Sequence, residues 1–186
     1  MNILGICGNM KPWSASAAVL KLSLKAAENA GAITTFYDIA ESPLPFCDGR
    51  ADEDTYPAEV VQFKNLIRQS QGIILSTPDY HNSFSGALKN ALDLCSTDEF
   101  DHKIIGIIGV AGGGTGAINA ITQLRTVMRA VGAWPIPHQV SISNSKTLFS
   151  GPDQIADPAL DKRIQKLGTD VVRYATLFAK GLLEEV

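Results

Sequence analysis

Five short strand-like segments, each followed by a stretch long and amphipathic enough to form a helix, constrain this chain more than any other feature. The sharpest is Lys103 to Val110, KIIGIIGV. Its unbroken apolar run lacks the polar alternation of a half-exposed strand and suits one buried on both faces of a parallel sheet. Ile3 to Cys7, Ile33 to Tyr37, Gly72 to Ser76 and Trp134 to Val140 supply the other four strands. Ser16 to Ala30 sets Ala17, Leu20, Leu24, Ala27 and Ala30 on one helical face and closes on Gly31, while Val60 to Ser70 turns Val60, Phe63, Leu66 and Ile67 inward. Ser85 to Cys95, Ala117 to Val131 and Pro158 to Leu183 complete the helices, the last opening near Asp157 with proline in its first turn. Glu41 to Pro57, proline-bearing and acidic, reads as a long irregular loop.

This alternation predicts an α/β fold: a doubly wound five-stranded parallel sheet with helices on both faces. Five strands in 186 residues favour the flavodoxin-like order 2-1-3-4-5 over a six-stranded dinucleotide fold, and one domain over residues 1–186. The net charge of -3 and scattered cations give no footprint for nucleic acid. Cys7, Cys47 and Cys95 form no CxxC pair and leave an odd count, which argues for a reducing compartment, with Cys7 and Cys95 read as small buried hydrophobes. With no charged, cleavable leader and no apolar stretch of membrane-spanning length, the expectation is a soluble cytoplasmic protein with no membrane partner.

In a sheet of this order the loops after strands one, three and four leave the same carboxyl edge, where open α/β sheets bind ligands. The first, Gly8 to Ser16, brings Asn9, Lys11, Ser14 and Ser16 to a helix amino terminus, where N–H groups, hydroxyls and a cation suit a single phosphate. Taken alone, Ser14 or Ser16 reads first as an ordinary N-cap, and Lys11 shifts the balance toward phosphate. Neither GxGxxG nor GxxxxGK[ST] occurs there, so a pyrophosphate or triphosphate cradle lacks its usual geometry. The loop after strand three offers Pro78, Asp79, Tyr80, His81, Asn82 and Ser83, a rigid bend with an aromatic face and hydrogen-bonding groups for the edge of a planar ring. It also reads as a Pro-Asp turn with Asn82 and Ser83 capping the next helix. In the third, Gly112, Gly113, Gly114 and Gly116 let backbone approach a ligand without intervening side chains.

Together these segments resemble the NAD(P)H-dependent FMN reductase family of flavodoxin-like proteins. The family's loop GS-x-R-x-x-S-x-N corresponds to Gly8 through Ser16, with Asn9, Lys11 and Ser16 where serine, arginine and asparagine are usual. Its longer motif TPEYN-x-S-x-x-G-x-LKN-x-x-D is matched in order by Thr77, Pro78, Tyr80, Ser83, Gly86, Leu88, Lys89, Asn90 and Asp93, with Asp79 and His81 in place of glutamate and asparagine. A glycine pair before a helix corresponds to Gly112 through Arg125.

The resemblance implies FMN, its phosphate on Asn9, Lys11, Ser14 and Ser16 and its ring between the Pro78 to Ser83 loop and Gly112 to Gly114. It implies NADPH or NADH as co-substrate, and a small-molecule electron acceptor: a flavin, quinone, azo or nitro compound, or chromate. It also implies a homodimer or homotetramer with the Ser85 to Cys95 helix near the partner, so that Lys89, Asn90 and Asp93 are structural or interfacial. The flavin then does the redox chemistry in a ping-pong cycle, with no catalytic side chain and no metal, and a backbone N–H near Tyr80 to Asn82 stabilises charge on the reduced ring. A flavodoxin-like electron carrier and a redox regulatory protein, both without steady-state NADPH turnover, remain as alternatives.

Overall fold

The computed structural model of the protein describes residues 1–50, 55–151 and 154–184. In chain order the elements are β1 (Asn2–Cys7), α1 (Ala15–Asn29), β2 (Ile33–Asp38), α2 (Ala58–Gln69), β3 (Gly72–Tyr80), β4 (Ser83–Phe84), α3 (Gly86–Asp93), α4 (Thr97–Phe100), β5 (Ile104–Val110), α5 (Ile118–Ala130), β6 (Trp134–Ile142), β7 (Phe149–Gly151), β8 (Gln154–Ile155) and α6 (Pro158–Glu184). The five parallel strands lie in the order β2-β1-β3-β5-β6, which is 2-1-3-4-5 when parallel strands alone are counted. Ile3 pairs with Gly72 and Gly72 with Ile104, so the three central strands are in step.

The pleat sorts side chains onto two cores. Ile3, Ile74, Ile104 and Ile108 face α1 and α6, while Leu4, Ile6, Ile73, Leu75, Ile105 and Ile107 face α2, α3 and α5. On the first face the packing is very close. A Cβ built on Gly72 or Gly106 would lie 2.7 Å from a methyl of Val171 on α6. Gly168, in the same helix, sits against α1 so tightly that its Cβ would stand 2.0 Å from the Ser23 carbonyl oxygen.

Several boundaries differ from expectation. β3 continues past Ser76 to Tyr80 and turns back into β4, which pairs with it antiparallel through Asp79 and Phe84. Pro78 is tolerated within the strand for a simple reason. Ser76 C=O accepts from Gly8 N–H, so by the two-residue alternation Pro78 directs its backbone to the same side, past the end of β1, where no N–H is required. The expected Ser85 to Cys95 helix ends at Asp93, and a separate turn, α4, starts at a Ser96/Glu99 capping box. Glu99 is fully buried there, with Lys64 Nζ at 3.5 Å and Arg68 also paired to it.

The antiparallel pairing of β7 with β8 was not expected, and β6 runs two residues longer than its apolar pattern suggested. Ala30 is exposed because α1 has already ended, and Leu66 and Cys95 are half-buried rather than core residues. Cys7 is buried as expected, and no disulfide joins any two of the three cysteines. Part of the Glu41 to Pro57 loop, residues 51–54, lies outside the described residues.

Glycine in a helix interior costs about 1 kcal/mol relative to alanine, so alanine substitution in α6 ordinarily stabilises. Gly168→Ala should do the reverse, because the clash with Ser23 forces α6 off α1 at a cost of roughly 1–3 kcal/mol or more. Gly181→Ala, where a Cβ meets nothing within 4 Å, should be neutral or stabilising. Thermal unfolding of the two variants, with opposite signs expected, checks this.

Candidate active site

The carboxyl edge of the sheet gathers the three loops, and hydrogen bonds fix their relative positions. Ser76 Oγ donates to the Ser16 carbonyl at 2.8 Å, tying β3 to the first turn of α1. Ser85, the N-cap of α3, accepts from Leu88 N–H and donates to the Gly8 carbonyl. A side chain at Gly8 is excluded, since its Cβ would lie 2.7 Å from that of Leu88.

In the first loop some of the expected ligand groups are already engaged. Ser14 is the N-cap of α1, its Oγ accepting from Ala17 N–H at 3.1 Å. Asn9 is buried and its Oδ1 accepts from Lys11 N–H at 2.9 Å, bending the loop. Others stay open. Ser16 is 1% exposed and its Oγ has no hydrogen-bond partner among the described residues. The N–H groups of Ala15 and Ser16, at the first turn of the helix, find no protein acceptor among the described residues. Lys11 is exposed and has no ion pair among the described residues, and Trp13, at φ 55°, is fully exposed.

The second loop is a β-hairpin rather than an irregular ligand loop. Tyr80 pairs with Ser83 across His81 and Asn82, both at positive φ (55° and 63°), which is a two-residue turn of the twist-matching kind. Asp79 Oδ1 accepts from Asn82 N–H at 3.1 Å and pins the turn, while its Oδ2 is buried with no partner. The expected capping by Asn82 and Ser83 does not occur, since Ser85 caps α3. Instead α5 braces the hairpin: Gln123 Nε2 donates to the Asn82 carbonyl, Ser83 Oγ donates to Gln123 Oε1, and Asn119 reaches Asn82 Oδ1 at 3.4 Å. Nothing in the sequence singles out Gln123 or Asn119, since both sit on the polar side of an amphipathic helix. His81 and Asn82 are exposed at the tip, and Tyr80 is 43% exposed.

Behind the hairpin, Phe84 packs on Ala111, Ala117 and Ala120, linking it to the glycine loop. Gly112 and Gly113 are exposed, and a Cβ built on either meets nothing within 4 Å, so these residues present bare backbone to open space. The loop is held from below: Asn144 N–H donates to the Gly113 carbonyl and Ser145 N–H to that of Ala111, both at 3.0 Å, and Ala117 N–H donates to Ser141 Oγ at 2.9 Å. Cys7, next to the first loop, is kept as a thiol because burial pushes its pKa up.

The donor set fits an FMN-like ligand. Three buried side-chain polar atoms among the described residues lack a partner, Ser16 Oγ, Asp79 Oδ2 and Ser23 Oγ, and two of them belong to the loops at this edge. Orphaned buried groups are uncommon in native proteins, and the two at this edge are open to a ligand's donors or acceptors. No group of three or more His, Cys, Asp or Glu side chains suited to a metal ion occurs among the described residues.

Comparison with known proteins agrees with this geometry. Residues 1–147 match the family of NADPH-dependent FMN reductases. The chain is 43% identical over 131 residues to the NADPH azoreductase of Bacillus sp. (strain OY1-2), covering 70% of this chain and 73% of that one. It is 30% identical over 164 residues to the FMN-dependent NADPH-azoreductase of Staphylococcus haemolyticus (strain JCSC1435), covering 83% and 87%. In fold it is similar to the flavoenzyme NAD(P)H:(acceptor) oxidoreductase FerB of Paracoccus denitrificans, with a TM-score of 0.76 at 21% identity over 95% of this chain and 98% of that one. A match that runs from the first strand through the glycine loop and α5, and so takes in all three loops of the candidate site, means that the chain belongs to the NADPH-dependent FMN reductase family.

Proposed function

We propose that this protein is an FMN-dependent NAD(P)H oxidoreductase acting on small electron acceptors, with residues 1–186 working as one FMN-binding domain. The observation that carries this reading is the convergence, at one sheet edge, of an open helix amino terminus, a braced hairpin and a bare glycine loop, with unpartnered polar atoms in the first two. The first turn of α1 and Lys11 would hold the phosphate: free N–H groups and the Ser16 hydroxyl supply directed donors, and lysine adds a point charge. Asn9 and Ser14 shape the loop through their accepting oxygens, and the Asn9 Nδ2 and Ser14 hydroxyl donors would add to the phosphate contacts.

Pro78 to Ser83 would border the flavin ring, with Tyr80 offering an aromatic face and Asp79 an acceptor that no protein donor occupies. Gly112 to Gly114 would lie against the ring without side chains between. FMN, when bound, supplies two-electron redox chemistry, taking hydride from a nicotinamide and passing electrons to the acceptor. The chain positions and shields, and needs no nucleophile of its own. An azo compound is the first acceptor to test, given the relatedness to azoreductases.

On the outer side of this region, Lys89 and Asp93 form an i,i+4 ion pair at 2.7 Å, and Asn90 clasps the strap after β2, donating to the Pro45 carbonyl and accepting from Cys47 N–H, each at 2.9 Å. These contacts support a structural role for the three motif residues. Phe46, held between the two clasped positions, is 88% exposed. We include in the proposal a homodimer or homotetramer and a cytoplasmic setting, the latter supported by cysteines that form no disulfide.

Purified protein is expected to take up FMN, turn yellow and oxidise NADPH or NADH with an azo dye or quinone as acceptor. Negligible steady-state turnover in the FMN-loaded protein would mark it as a carrier instead. Lys11→Glu should weaken FMN binding by about tenfold or more, the scale of one charge-assisted contact, while the melting temperature of the FMN-free protein moves little. Fluorescence titration against a thermal melt separates the two effects. His81 serves the turn, where positive φ suits glycine, so His81→Gly should keep acceptor turnover within about twofold of the parent; a tenfold or larger loss would give the imidazole a chemical role.

A further inference from the structure

We propose that a cavity behind the glycine loop binds the phosphorylated ribose of the nicotinamide co-substrate, with Arg163 contacting its phosphate. This rests on the NAD(P)H reaction proposed above and adds where the co-substrate is gripped and which nucleotide is preferred. The cavity, about 280 Å³, lies where β6 ends and α6 begins, and its polar lining is Ser141, Ser143, Asn144, Thr147, Asp157 and Arg163.

Three observations support the assignment. First, the wall is shared with the candidate active site: Asn144 N–H bonds the Gly113 carbonyl, and a Cβ on Gly114 would come within 3.9 Å of Asn144 Oδ1. Asn144, which lines the cavity, is thus bonded directly to the loop that would carry the flavin ring, which places the cavity next to that loop. Second, Arg163 is exposed, lines the cavity and makes neither an ion pair nor a hydrogen bond among the described residues. Its planar guanidinium is available for bidentate contact with a phosphate, beside the positive end of a 27-residue helix.

Third, the remaining lining matches a sugar more than a bare anion. Asp157 is the one acid there. Its Oδ1 already accepts from Ala159 N–H at 2.8 Å, leaving the other oxygen to accept from a ribose hydroxyl. Ser143 adds an exposed hydroxyl, and Thr147 Oγ1, which donates to the Asn144 carbonyl at 3.1 Å, adds an acceptor. Sites that enclose a whole small-molecule ligand run to roughly 300–1,000 Å³. At about 280 Å³ this cavity suits one end of a dinucleotide and not all of it. NADH lacks the ribose phosphate, so Arg163 would favour NADPH, by about tenfold if the contact has the strength of an ordinary charge-assisted hydrogen bond.

The test is calorimetric titration of the FMN-loaded protein with adenosine 2′,5′-bisphosphate, with 5′-AMP and with inorganic phosphate. The expected result is that the bisphosphate binds about tenfold or more tightly than either of the others, that Arg163→Ala removes this margin, and that Arg163→Glu does so too. In steady state the ratio of kcat/KM for NADPH to that for NADH should fall by a similar factor in both variants. Equal binding of bisphosphate and 5′-AMP, equal binding of bisphosphate and inorganic phosphate, or an unchanged nucleotide ratio in the Arg163 variants would each overturn the proposal. FMN-loaded protein that oxidises neither nucleotide would sink the functional reading instead, and the titration would still report on the cavity by itself.

Discussion

The close approach of α1 and α6 to one face of the sheet sets the geometry on which the candidate site depends. Gly168 allows it at the helix crossing, where no side chain fits against the Ser23 carbonyl, and Gly72 and Gly106 allow Val171 to settle onto the strands. With α1 pressed down in this way, its amino terminus arrives level with the ends of β1 and β3. The Ser76 Oγ to Ser16 carbonyl bond can then form, and the open turn that would receive a phosphate is held by the sheet itself. A looser α1 would keep its helical structure and lose this alignment. Packing and function therefore meet in residues that touch no ligand.

Within the site, polar groups divide into those spent on local structure and those left open. Asn9 Oδ1, Ser14 Oγ, Ser83 Oγ and Asp79 Oδ1 all satisfy neighbouring protein groups. Ser16 Oγ, Asp79 Oδ2, the Lys11 ammonium and the first N–H groups of α1 do not. This division is what a preorganised site requires, because donors and acceptors must be fixed before a ligand arrives and yet remain unpaired. The hairpin serves the same end. An irregular loop would have to be ordered on binding, whereas a two-residue turn braced by Gln123 is already ordered.

Most of the fold was legible in the sequence because its strands are buried on both faces and its helices on one, which writes two different periodicities into the chain. The KIIGIIGV strand follows from that pattern, whereas the 2-1-3-4-5 order was favoured by strand number and length and fixed by strand pairing. The β3–β4 hairpin was hidden because His81-Asn82 is not the usual Asn-Gly signal and Pro78 suggested the end of a strand. The break between α3 and α4 was marked by Ser96 and Glu99, but the buried pairing of Glu99 with Lys64 and Arg68 joins segments about thirty residues apart that no local pattern connects.

For the candidate site, local chemistry named the loops and long-range contacts assigned the roles. Residue types alone located a cation, hydroxyls, an aromatic turn and glycines at strand ends, because a parallel sheet must bring its carboxyl-edge loops together. Which hydroxyl caps a helix and which remains unpaired, which side of Asp79 is occupied, and which cavity abuts the glycine loop were settled by tertiary structure. Each depends on the distance between groups remote in sequence, and short-range periodicity carries no information about such distances.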